Sequence, residues 1–194
     1  KNEVLPNTTS ILNAIRVQWQ RLRQGFNGNS KRESMQDMYV SELGELHSAA
    51  AQFSVLADEM WIAMGNEALA RRVSGYAADL RVRVAQLQML GAQDPSGRDQ
   101  TDEAMQALAL KASRAAERYG DTVRDAALAG ALQAIMHYMI AEYGTLAAHA
   151  RVLGRHDDAE RFTGYASEDK ALDAEISDLA VRTLNVDAAS NTPK

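Results

Sequence analysis

Cysteine is missing altogether. That excludes a thiolate nucleophile, an iron–sulfur cluster, cysteine-ligated zinc and a disulfide-stapled scaffold. Proline occurs three times in 194 residues, so little interrupts long helices. Phenylalanine (three) and tryptophan (two) are scarce. No apolar run reaches the 18 or so residues of a bilayer-spanning helix. Basic residues do not dominate: 21 Lys and Arg stand against 26 Asp and Glu, a net charge of −5. There is thus neither the basic face of a general nucleic-acid binder nor a polybasic membrane anchor. No Gly-x-Gly-x-x-Gly, Walker loop, Gly-x-Ser-x-Gly or His-Glu-x-x-His run occurs. A reducing, cytoplasmic setting is the expectation.

What remains is an alanine-rich, 46% hydrophobic chain whose apolar residues recur at helical spacing. Ile11, Ile15, Trp19 and Leu22 mark an amphipathic helix over about residues 9–24, with Arg16, Arg21 and Arg23 on its other face. Such a helix can lie on a membrane or a partner, or dock on its own bundle or a second subunit. A second helix is predicted over residues 31–64, with Tyr39, Leu43, Leu46, Ala50, Phe53, Ala57 and Met60 inward. A third covers 67–90, with Leu69, Val73, Tyr76, Leu80, Val84, Leu87 and Leu90 inward. After a loop at residues 93–97 comes a shorter helix, 102–118. Two long helices follow. The first, from Asp121 as cap to Leu153, buries Leu128, Leu132, Ile135, Met139, Tyr143, Leu146 and Ala150. The last, 156–184, buries Phe162, Tyr165, Asp169, Leu172, Ile176 and Leu179, and residues 185–194 read as a polar tail. Four long helices and a short one in the crossover make an all-α four-helix bundle of ferritin-like connectivity, preceded by an extra N-terminal helix. The divisions are residues 1–30, 31–184 and 185–194.

Val123-Arg124-Asp125-Ala126-Ala127-Leu128, His137-Tyr138, Tyr143-Gly144-Thr145-Leu146 and Glu168-Asp169-Lys170-Ala171 with Asp173 resemble the YciE/YciF family of ferritin-like bacterial proteins. Glu42-Leu43, Glu45-Leu46, Leu90-Gly91 and Ala104-Met105 are similar too, so the resemblance covers about residues 36–182. It implies a stress-associated protein with a carboxylate-rich di-iron-type site inside the bundle. The same resemblance places acids at positions 50, 136 and 139, where this chain has Ala50, Met136 and Met139, and a Glu and a His near Gly75 and Asp79. Only Asp169 and Asp173 stand where acids are expected. A thioether is a poor ligand for Fe(III) or Mn(II), and alanine and glycine offer none.

The expectation is a degenerate di-metal site with no cofactor, and a structural or interaction role as a homodimer rather than catalysis. The N-terminal helix could serve an additional protein partner. The competing expectation is an iron- or manganese-dependent oxidoreductase handling peroxide or iron, with a relocated site drawn from Glu142, Asp169, Asp173, His47 and Glu42. A third is an apolar ligand between Met136, Met139 and Phe53. Among the other polar residues, His137 reads as a hydrogen-bonded packing residue on a small-residue stripe with Ala134, Ala141, Gly144 and Ala148. His149 and His156 read as solvated, and Glu142 as a boundary acid reaching water or an arginine. Asp79 with Arg83, and Glu160 with Arg161, read as surface charge. The methionines Met35, Met38, Met60, Met64, Met89 and Met105 read as core or interface filler.

Overall fold

The computed structural model describes residues 34–92 and 101–190. The predicted helix at 9–24, the loop at 93–97 and the last four residues of the tail lie outside them. Four long helices form a bundle: α1 (Met35–Ala63), α2 (Glu67–Gly91), α4 (Asp121–Val152) and α5 (His156–Leu179). The short α3 (Glu103–Arg118) lies in the connection between α2 and α4 and packs on α4 and α1. The tightest pairings are α1 with α2 and α4 with α5, two antiparallel hairpins joined face to face through α1 and α4.

Local chemistry explains the boundaries. The Asn66 side chain accepts the Leu69 N–H at 3.0 Å and starts α2. Asp102 does the same for Met105 at 2.6 Å and starts α3. Each satisfies a backbone donor that the first helical turn would otherwise leave bare. Gly154, at φ +72°, ends α4 in the left-handed region where glycine carries no Cβ penalty. Asp121 is not the cap its type suggests. Gly120 occupies that position without a side-chain bond, and Asp121 itself adopts φ +50° as the first residue of α4.

The three-residue turn after α1 is held from outside. Asp125 of α4, 4% exposed, accepts the Gly65 N–H at 2.9 Å and the Asn66 N–H at 2.8 Å. Both carboxylate oxygens are used on backbone donors that no helix satisfies.

All seven inward positions predicted for α1, and all seven for α4, are buried. Along α2 the expected stripe departs at two places. Leu90 at its end is only partly buried. Arg83 is buried at 4% exposure and Val84 only partly. Arg83 is therefore not surface charge, although Asp79 is exposed as expected. The last helix also differs in detail. At Ala180–Leu184 it widens into a π-helical turn, and it then resumes as α6 (Asn185–Ser190), reaching into the stretch read as polar tail. Leu184, 2% exposed, anchors this end against the core. Of the methionines, Met60, Met64 and Met105 are buried, whereas Met35 and Met89 are exposed.

Candidate functional site

The positions where the resemblance implies ligands divide into two groups. Ala50, Met136 and Met139 are fully buried at the bundle centre and line it with methyl and thioether groups. Gly75 and Asp79 face outward. The inward residues of that stretch of α2 are instead Tyr76, Ala77, Leu80 and Arg83.

Arg83 is the polar centre of the bundle. Its Nη1 donates to Asp169 Oδ1 at 2.6 Å and its Nη2 to Glu168 Oε2 at 2.8 Å, joining α2 to α5. Asp169 is completely buried, whereas most of Glu168 reaches solvent. Three rings surround the guanidinium carbon: Tyr165 at 5.0 Å, Tyr76 at 5.4 Å and Tyr143 at 5.9 Å from their centroids. Tyr143 and Tyr165 are themselves in tilted contact at 5.4 Å. The Tyr165 hydroxyl donates to Gln86 of α2, a second polar bridge between these helices. Arg72 and Glu175 make a third at 3.1 Å, on the surface.

Electrostatics follow from this geometry. Burial alone would disfavour the Arg83 charge. The Asp169 carboxylate and the nearby phenols outweigh it, so the group stays protonated. Burial pushes the Asp169 carboxyl above its ordinary range, opposed chiefly by the Arg83 charge. Tyr76 and Tyr143 are raised first by burial and next by the Asp169 charge, which keeps both as neutral phenols. Their hydroxyls and Asp169 Oδ2 are buried without a hydrogen-bond partner among the described residues.

A family model described as "Domain of unknown function (DUF892)" matches residues 34–189. The chain belongs to this family. Protein YciF of Escherichia coli strain K12 is 28% identical over 156 residues, which span 79% of this chain and 94% of that protein. Its crystal structure, described as that of a stress protein, superposes with a TM-score of 0.73, covering 79% of this chain and 98% of YciF. YcfI from Rhodopseudomonas palustris, described as a proposed structural protein, superposes with a TM-score of 0.70 at 26% identity. That match covers 77% of this chain and 98% of YcfI.

Of the polar residues singled out in this DUF892 chain, Glu42 and Glu142 are close enough to interact, whereas Asp169 and Asp173 are held by other partners. Asp169 belongs to Arg83. Asp173, also on α5, accepts from Gln133 at 3.0 Å and faces His137 Nε2 at 3.2 Å on α4. His137 is 67% exposed, so it hydrogen-bonds as expected but at the surface. Glu42 pairs with His149 Nδ1 at 2.7 Å, across α1 and α4. His149 is thus a half-buried bridge, not a solvated helix-end residue. Burial lowers the basicity of His47.

Glu142 is half-buried on α4. It is raised first by burial and then by the charges of Asp102, Glu42 and Glu45, so acids surround it rather than an arginine. Asp102 is simultaneously the cap of α3 and the acceptor of the Tyr138 hydroxyl at 2.5 Å, tying α3 to α4. Among the described residues, no three His, Asp or Glu side chains are grouped so that they could hold a metal ion. No described helix is long and apolar enough to cross a membrane.

Sequence reasoning missed the Arg83–tyrosine cluster and the Glu42–His149 bridge. Their partners lie 86 and 107 residues away, beyond any local spacing rule.

Proposed function

We propose that this DUF892 chain is a ferritin-like, stress-associated bundle with a degenerate di-metal site and a structural or interaction role, acting as a cytoplasmic homodimer. The names of its relatives, a stress protein and a proposed structural protein, support the role. One observation carries the metal-free part. At the centre, Ala50, Met136 and Met139 are fully buried, and Asp169, the fully buried acid among the positions where the resemblance implies one, is neutralised by Arg83 at 2.6 Å. Iron or manganese needs several hard oxygen donors. A guanidinium cannot shed its proton to make room for a second cation. The residues therefore do not fit a two-metal centre, and the bundle centre is held by packing and one ion pair instead.

In this reading residues 31–184 are the bundle. Residues 1–30 are an appended helix and linker available to a further protein partner, and residues 185–194 are a tail. The deciding experiment is the metal content of the full chain purified without chelator. Far less than one iron or manganese per chain is expected. Stoichiometric metal that disappears in Glu142→Ala or Asp169→Ala would overturn this function in favour of an iron- or manganese-dependent oxidoreductase.

A further inference from the structure

Arg83 sits in a recess that its own helix builds together with two others, α4 and α5. Tyr76 lies about two turns before it on α2, Tyr143 comes from α4, and Tyr165, Glu168 and Asp169 come from α5. Aromatic faces attract a cation through their quadrupoles, most strongly where water is excluded. Carboxylates match the planar fork of a guanidinium, which is also more weakly hydrated than an ammonium or a divalent ion. Three rings and two acids are therefore recognition chemistry for a flat, delocalised monovalent cation. The backbones of α2 and α5 scarcely approach one another, so the guanidinium spans a gap that main-chain packing does not close.

We propose that this recess is a guanidinium-binding site which the chain fills with its own Arg83, and that a free guanidinium compound enters it once that side chain is shortened. The proposal rests on the metal-free reading of the bundle centre, yet the two fail separately. Metal content of the unaltered chain tests that reading alone.

The experiment is thermal unfolding of full-length Arg83→Ala with methylguanidinium chloride at millimolar concentration, against sodium chloride at equal ionic strength. A saturable rise in Tm of about 3–8 °C is expected for the variant and none for the unaltered chain. Adding Asp169→Asn to the variant should abolish the rise. Magnesium or manganese chloride should not reproduce it. The proposal is overturned if Arg83→Ala responds no more than the unaltered chain, or if a divalent ion stabilises it equally. If Arg83→Ala does not fold, Arg83→Lys decides. It keeps the charge but loses the fork and flat face, and should melt below the unaltered chain. An equal Tm would show that any point charge suffices and would also overturn the proposal.

Discussion

At the scale of single residues, the ion pair at the centre couples stability to pH. In Arg83→Met the groups facing Asp169 are Tyr76 from α2, Tyr143 from α4, and Glu168 and Tyr165 on its own helix. None is positive, and burial already raises Asp169. An acid whose folded pKa lies above its unfolded value stabilises fully below the unfolded pKa, and that contribution disappears as pH rises through the folded one. Arg83→Met should therefore cost about 3–5 kcal/mol at neutral pH, because the buried acid loses its partner. The deficit should shrink as the pH falls, because Asp169 then takes up a proton. Urea unfolding across pH checks this. A deficit that stays constant with pH would mean that Asp169 does not depend on Arg83. The Arg83→Met/Asp169→Asn pair should lose the pH dependence.

Asp169 was legible in the sequence because Phe162, Tyr165 and Ile176 set its helical face. Arg83 was not. Between Leu80 and Leu87, positions 83 and 84 both satisfy a three-or-four spacing, and hydrophobicity selects Val84. Only the acid on α5 makes the charged choice stable.

At the scale of elements, loops and glycines made the helix ends readable. Gly154 ends α4 as its chemistry predicts, whereas Asp121, the cap expected there, gives way to Gly120. What could not be read was which distant side chain serves each turn. Asp125 stands out only as part of a family-like run, yet it takes two backbone donors from the α1–α2 turn. Asp125→Ala leaves both donors without that acceptor and should cost about 2–4 kcal/mol, since hydrogen bonds to a charged group exceed neutral ones. Asp125→Asn, which retains one acceptor oxygen, should lose less. Chemical denaturation of both variants checks the order, and equal losses would point to the charge rather than the bonds. α3 was legible as a helix, but its attachment through Asp102 to Tyr138 and to Gln52 of α1 was not.

At the scale of the whole molecule, the plan of four long helices with a short one in the crossover was readable because each long helix carries a mainly apolar stripe at helical spacing. The proposed homodimer would form through the outer face of α4. Gly130, His137, Ala141, Gly144 and Ala148 are all exposed there, with open space beside both glycines. Small residues in a row let a second helix approach closely, and two-fold pairs are the commonest assemblies. Light scattering on the full chain should give twice the chain mass, and Ala141→Lys should reduce it to one. A monomeric unaltered chain would remove the dimer, and an unaffected Ala141→Lys would move its interface elsewhere.

The widened turn at Ala180–Leu184 has a consequence for chain length. Leu184 lies eight residues after Ile176, and both are buried. At about 100° per residue a straight α-helix would carry Leu184 roughly 80° away from the side that Ile176 occupies. A five-residue ring absorbs the surplus position and brings the leucine back. The C-terminal helix thus holds one residue more than its interior contacts require. Losing exposed Val181 would tighten the coil to the ordinary pitch while leaving the hydrophobic anchor in place.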